Sequence, residues 1–403
     1  MRKNLFKNLV AIWLAAAPLF ALSQDDLAEQ AQTLAHRFRI VDTHIDVPYR
    51  LQERWEDVTK ATQAGNFDYP RAVAGGLNLP FMSIYIPASF EAEGGAKALA
   101  DGLIDRVEAI VARAPGKFGI AYSIADATRL YDEGKIALAM GMENGSGIED
   151  DLANLQHFYD RGIRYITLAH SKSNRISDSS YDKTHIWNGL SPFGKKVIAE
   201  MNRLGIMVDI SHVSDQAFYE ALGVSAAPCI ASHTSARHFT PGWERNADDA
   251  MIQALAAKGG VLMINFGSSF LRGDAQKNNE KFRAARDHFK EVEGISDEDD
   301  PRLENFKQQY RGKTPAIYAD VKDVADHIDY VSKLVGIDHV GIGSDYDGVG
   351  DSLPTGLKDV SMYPNLVREL LARGYSESAI EKVLGANLMR VWQAVEDYAA
   401  SRH

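Results

Sequence analysis

The chain is 403 residues long, with 44 Lys and Arg against 55 Asp and Glu and a formal net charge of −11 at pH 7. That balance excludes a basic nucleic-acid binder on bulk charge, and 45% hydrophobic with 25% charged residues excludes a disordered, collagenous or coiled-coil chain. A single cysteine, Cys229, excludes an intrachain disulfide and a thiolate-rich zinc site, so a metal ion here would rest on histidines and carboxylates.

Residues 1–23 read as a secretory signal to be left out of the fold. Arg2, Lys3 and Lys7 form a positive start, 9–22 is apolar around Pro18, and Ala21-Leu22-Ser23 supplies small residues at the cleavage positions. The uncharged stretch 8–24 is marginal for a spanning helix, so an uncleaved anchor is the weaker reading. Residues 24–403 are expected to form one exported, periplasmic domain with no stable membrane anchor once the leader is cleaved.

From residue 24 onward, short apolar runs alternate with stretches of helical period. The runs are 39–46, 77–86, 136–142, 163–169, 206–210, 229–232, 261–266 and 340–343, with 118–124 as an ambiguous extra. Helical stretches lie at 96–114, 151–160, 192–204, 249–258 and 321–335, where apolar residues recur three and four apart. Ser191-Pro192 reads as an N-cap with proline at the first helical position, and Ser378 with Glu381 as a capping box. Gly162, Gly205 and Gly259 sit where helices end before strands.

Eight strands of continuous apolar character, joined by helices, predict an α/β fold: a closed (β/α)8 TIM barrel, whose strands are buried on both faces. A doubly wound open sheet would place a glycine-rich phosphate turn after the first strand; here that strand ends in Asp42-Thr43-His44-Ile45-Asp46. The segment 271–315 breaks the alternation. It is densely charged, with the acidic run Asp297-Glu298-Asp299-Asp300 before Pro301, and reads as an inserted, largely helical excursion before the last strand.

In such a barrel the working face lies at the C-terminal strand ends. There the first predicted strand carries His44 and Asp46, the third Glu143, the fourth His170, the fifth His212, the sixth His233 and the eighth Asp345. Any one of these histidines alone reads more simply as a buried, satisfied side chain, and Glu143 alone as a cap of the Glu-Asn-Gly turn. Together they place imidazoles and carboxylates on six strand ends of one ring, a donor set suited to zinc or a similar divalent ion. Five candidate ligands, His44, Asp46, Glu143, His212 and His233, exceed the three that one catalytic zinc with an open position needs, so two ions are plausible.

With these residues in view, the sequence resembles the membrane (renal) dipeptidase family of zinc-dependent, amidohydrolase-type barrels, as a bacterial exported member. The resemblance is carried by Val41-Asp42-Thr43-His44-Ile45-Asp46, Gly141-Met142-Glu143-Asn144-Gly145, Arg164 to His170, Asp209-Ile210-Ser211-His212-Val213-Ser214, Ser232-His233-Thr234-Ser235-Ala236, Arg245-Asn246 and Gly341 to Gly348, in family order. It implies two zinc ions, one held by His44, Asp46 and Glu143 and the other by Glu143, His212 and His233, with hydroxide bridging them as the nucleophile. It implies catalytic roles for Asp345, His170 and Glu143, with Asp345 carrying the proton from nucleophile to leaving amine and His170 donating to the oxyanion. Arg245, with His170, would bind substrate, its guanidinium pairing with the free C-terminal carboxylate. The implied partners are free dipeptides, including ones with a C-terminal D-residue, and a homodimer is left open.

Gly267 departs from the pattern. It stands where the animal enzymes carry a tyrosine lining the substrate site, which implies a roomier or differently shaped pocket. The disulfides and lipid anchor of those enzymes are not expected here. Two other classes stay open: another metal-dependent amidohydrolase acting on N-acyl amino acids, lactones or phosphoesters, and a periplasmic metal-binding protein without catalysis. A serine hydrolase is disfavoured because no Gly-x-Ser-x-Gly turn occurs.

Overall fold

Nine parallel strands organise the chain: β1 (Ile40–Ile45), β2 (Leu77–Tyr85), β3 (Phe118–Ile120), β4 (Ile136–Glu143), β5 (Ile163–Thr167), β6 (Met207–Asp209), β7 (Ile230–Ala231), β8 (Val261–Ile264) and β9 (Val340–Ile342). The computed structural model describes residues 23–297 and 300–402. The predicted leader lies outside these except for Ser23, which caps the helix Gln24–Arg37 in a reciprocal pair with Asp26. Hydrogen bonds run in the order β2-β1-β9-β8-β7-β6-β5-β4, and β2 pairs with β4 to close an eight-stranded barrel. The ambiguous run at 118–124 resolves as β3, a short strand that pairs with the start of β4 outside the closed ring.

Strand parity explains the interior. On β4, Ala137 and Ala139 belong to the cluster inside the barrel, whereas Ile136, Leu138, Met140 and Met142 pack against the outer helices. Side chains alternate along a strand, so Gly141 and Glu143 continue the inward set. Tyr165 on β5, Met207 on β6 and Met263 on β8 are inward too, so Thr167, Asp209 and Asn265, two residues further on, follow them. The C-terminal helix Asn387–Ala400 adds Leu388, Val391, Trp392 and Val395 to this interior cluster and plugs the N-terminal end, with Trp392 5.4 Å from Phe81. The inward polar side chains Glu143, Thr167, Asp209 and Asn265 thus lie beyond this apolar cluster, at the C-terminal strand ends.

Helix boundaries follow local chemistry. Ser191 accepts the Gly194 amide at 2.8 Å ahead of Pro192, as its sequence suggests. Gly162 and Gly205 adopt φ of 101° and 84°, values that favour glycine, as each helix gives way to a strand. The predicted Ser378 box is corrected: Ser376 caps the helix Glu377–Glu381 by accepting the Ala379 amide at 3.2 Å. Ser376 has the extended backbone a cap requires, whereas Ser378 already lies inside the helix.

The excursion after β8 is helical, as expected. It consists of Ser268–Leu271, Gly273–Glu293 and Pro301–Lys313, followed by the helix Val321–Val335 that leads to β9. The two long helices hold each other through aromatic rings, with Phe289 4.7 Å from Phe306 and Phe282 5.4 Å from Tyr310. Gln276, Asn279 and Arg283 on the first of them reach the barrel mouth and wall one side of a cleft of about 1360 Å³. Among the described residues no helix is long and apolar enough to cross a membrane.

Candidate metal centre and active site

All seven residues singled out at the strand ends meet at the mouth of the barrel. Glu143 lies at their centre. Its Oε1 is 3.2 Å from His212 Nε2, 3.1 Å from His233 Nε2 and 3.7 Å from His170 Nε2, while its Oε2 is 3.4 Å from His44 Nε2. His44 Nε2 is also 3.5 Å from Asp46 Oδ2, and the two Nε2 atoms of His212 and His233 face each other at 2.7 Å. Three overlapping sets have donor atoms within 4.8 Å of one another: His44 with Glu143 and His233, Glu143 with His170 and His212, and His44 with Asp46 and Asp345.

The hydrogen bonds assign the donor state of His44. The Tyr165 hydroxyl donates to Thr43 O at 3.0 Å, so it accepts from His44 Nδ1–H at 2.8 Å. Nε2 is the nitrogen left over: it is buried, without a hydrogen-bond partner, and turned towards two carboxylates. Burial opposes charge on this ring, yet the oxygens of Tyr165, Glu143 and Asp46 overcome it and hold its pKa well above 6.5. The position calls for positive charge, and a divalent cation fits it.

His233 is oriented in the same way. Its Nδ1 bonds Ser232 Oγ at 2.7 Å, Ser232 Oγ donates to Asp209 Oδ2 at 2.6 Å, and Thr167 Oγ1 donates to that same oxygen at 2.5 Å. Such partners fix the ring and leave Nε2 free to ligate. Burial, reinforced by His44 and Arg245, keeps the His233 pKa well below 6.5; burial with Arg245 and His170 does the same for His212. Both rings are therefore neutral, the state a metal ligand requires. Burial pushes the Glu143 carboxyl up, but the positive potential of the surrounding imidazoles, His44 and His170 foremost, holds it well below 4.5.

The backbone is bent to serve this arrangement. His212 and Asp345 are left-handed, at φ 67° and 63°, although neither is glycine; such strain collects at functional sites. Gly348 leaves room for two carboxylates to converge, since a Cβ there would lie 2.2 Å from Asp46 Oδ2 and 2.3 Å from Asp345 Oδ1. Asn265 Nδ2 donates to Asp345 Oδ2 at 2.7 Å. Burial and the charges of Asp46 and Glu143 raise the Asp345 pKa, which suits a group that takes up and returns a proton.

Arg245 is buried behind His233. Nη1 donates to Thr234 Oγ1 at 3.0 Å and Nη2 to His233 O at 2.9 Å, leaving Nε without a partner. Asn246 pins this turn by donating to Thr240 Oγ1 and Phe270 O, both at 2.8 Å. At Gly267 the room is refilled: a Cβ there would lie 2.9 Å from Phe270 Cδ2 and 3.0 Å from Val349 Cγ1. Phe270 and Val349 thus pack against the position at which a side chain would begin. Tyr165, Asp209, Ser232, Asn265 and Phe270 are the site residues that sequence reasoning did not single out. For Tyr165, Asp209 and Asn265 the available signal was the inward parity of their strands.

Residues 28–403 match the model of the membrane dipeptidase family, peptidase family M19. The chain belongs to that family. Its activity class is accordingly that of a metal-dependent dipeptidase, a hydrolase. Among its relatives, dipeptidase tcpJ of Claviceps purpurea is 33% identical over 84% of this chain and 71% of its own length. Dipeptidase 3 of Mus musculus is 32% identical over 93% and 68%. Among solved structures, the probable dipeptidase PvdM from Pseudomonas aeruginosa superposes with a TM-score of 0.80 at 29% identity, covering 93% of this chain and all of that one. A metallopeptidase from Rhodobacter sphaeroides bound to a phosphinate mimic of L-Ala-D-Ala superposes with a TM-score of 0.73 at 25% identity, over 89% of this chain and 99% of that one.

Proposed function

We propose that this dipeptidase works with two zinc ions, one held by His44, Asp46 and Glu143 and the other by Glu143, His212 and His233. The observation that carries the reading is the fan of Glu143, whose Oε2 turns to His44 while Oε1 turns to His212 and His233. When bound, such a pair polarises the scissile carbonyl and makes water a nucleophile near neutral pH. Asp345 takes the proton of the attacking water on its carboxylate and passes it to the leaving amine nitrogen, with Asn265 holding the other carboxylate oxygen in place. His170 donates from Nε2, the nitrogen facing Glu143, to the oxygen on which charge develops.

Arg245 receives the free C-terminal carboxylate on its guanidinium, whose Nε has no partner and whose two Nη groups each keep a second N–H beyond the bonds to Thr234 and His233. A charge-assisted bond at a buried guanidinium favours short substrates with a free C-terminus over proteins. The phosphinate mimic held by the Rhodobacter sphaeroides relative supports acceptance of a C-terminal D-residue here. The leader read at 1–23 makes export to the periplasm part of the same proposal.

The test is ninhydrin-detected hydrolysis of L-L and L-D dipeptides and their C-terminal amides by the purified mature chain, before and after chelation and zinc re-addition. Zinc-restorable cleavage of free dipeptides with the amides spared is expected. Equal cleavage of amides would remove the carboxylate role of Arg245, and cleavage indifferent to chelation would remove the metal pair.

A further inference from the structure

Beside Arg245 the cleft is walled by three aromatic rings that the chemistry above does not use. Tyr181 lies 5.8 Å from the His212 ring, Trp243 lies 6.3 Å from Tyr181, and Phe270 lies 5.1 Å from Trp243. The Arg245 guanidinium sits over Phe270 at 5.0 Å and closes the arc. The rings come from the loops after β5 and β7 and from the short helix Ser268–Leu271 after β8, and all three line the cleft. None is fully buried, so each keeps part of its surface open to the cleft. Half-buried aromatic faces converging from different loops are expensive to leave in water and gain most by covering an apolar group.

Phe270 depends on Gly267 for its place. Gly267 has an ordinary φ of −56°, so its lack of a side chain is not a demand of the backbone. It is a demand of packing, because a Cβ there would press on Phe270 Cδ2 at 2.9 Å. The glycine and the ring thus act as a pair. The pair puts an aromatic face directly behind the arginine that would take the substrate carboxylate.

We propose that Tyr181, Trp243 and Phe270 form the pocket for the side chain of the substrate's C-terminal residue, and that the enzyme selects dipeptides whose C-terminal residue is large and apolar, aromatic above all. The proposal rests on the dipeptidase reading. The Arg245 guanidinium lies 5.0 Å from the centre of the Phe270 ring, so a carboxylate held by that guanidinium brings the residue that carries it to the arc. That side chain then covers the rings of the arc, Phe270 and Trp243 first.

The test is kcat/KM for Ala-Gly, Ala-Ala, Ala-Leu and Ala-Phe with the zinc-loaded wild type, Phe270→Ala and Gly267→Ala. The wild type is expected to favour Ala-Phe over Ala-Gly by about thirtyfold, mainly through KM, a span set by burying one aromatic side chain. Phe270→Ala lowers that ratio roughly tenfold, the loss falling on Ala-Phe. Gly267→Ala, which displaces the ring without removing it, moves the ratio in the same direction and carries the test should Phe270→Ala fail to fold. A wild-type ratio near one, or a ratio unchanged in the variants, overturns the pocket and leaves the dipeptidase reading standing. Absence of turnover on every dipeptide overturns that reading and the pocket with it.

Discussion

A buried imidazole nitrogen facing two carboxylates at 3.4 and 3.5 Å, with its other nitrogen already committed, is held for a cation, and His44 is in that position. The commitment comes from the Tyr165 hydroxyl, which fixes the ring and its tautomer. Tyr165→Phe removes that acceptor and should weaken zinc binding by about 10- to 100-fold, the usual effect of deleting such a partner; competition with a chromophoric chelator measures it, and unchanged affinity would deny Tyr165 the role. Asp345 makes a separate prediction. Asp345→Asn should lower kcat by roughly 10²- to 10⁴-fold, the span of general acid-base catalysis, while zinc content by elemental analysis stays at the wild-type level. Loss of zinc along with activity would make Asp345 a ligand, a reading its proximity to His44 and Asp46 keeps in play.

Strand β4 links the sequence to the site. Its inward residues shrink to Gly141 just before Glu143 because the Tyr165 ring lies across that position, with a Cβ at 141 only 2.0 Å from Tyr165 Cζ. Gly141→Ala should therefore cost about 1–3 kcal/mol, as overpacking does, and should weaken zinc binding in step with Tyr165→Phe; urea titration and the same chelator competition would show both. If stability falls and zinc affinity holds, the contact is packing alone. The ligands themselves were legible because a polar residue ending an apolar run is conspicuous, and seven such residues fell on strand ends of one ring. Tyr165 and Asp209 were not, since each sits inside a run, and what they hold is visible only when β1 faces Tyr165 across the barrel and β7 pairs with β6. The helix start at Ser376 was missed for a local reason: Ser376 and Ser378 both offer a hydroxyl, and only the backbone of the folded loop chooses between them. Phe270 was hidden because what mattered at Gly267 was a ring three residues away.

Across the whole molecule, stability and catalysis depend on how the mouth loops are tied together. His327, on the helix Val321–Val335, accepts the Ala236 amide at Nδ1 and donates from Nε2 to Leu271 O, both at 3.1 Å, joining the loop after β7 to the start of the helical excursion. Burial pushes its pKa down to about 4, with the charge of His238 adding to the effect. The unfolded chain takes up this proton near pH 6.5 and the folded chain only near 4, so between those values the unfolded state binds more protons and stability falls as pH falls. Between pH 7.5 and 5.0 the loss from this one group is about 2 kcal/mol. Urea titrations of the wild type and His327→Gln at the two pH values should show that much less pH dependence in the variant; equal dependence would place the acid sensitivity elsewhere.

The barrel was legible as a whole because eight apolar runs alternate with helices, and the excursion because its charge breaks that alternation. The central claim is that five strand-end residues hold two ions on which hydrolysis depends. The measurement that tests it most directly is stepwise zinc titration of the chelator-stripped chain, with bound zinc and dipeptide turnover followed together in the wild type and in Glu143→Gln. Two zinc ions per chain, turnover reaching its plateau only at the second, and weakened binding of both ions in Glu143→Gln are the predicted result. A plateau at one ion or none, or a Glu143→Gln variant that binds both as the wild type does, would contradict it.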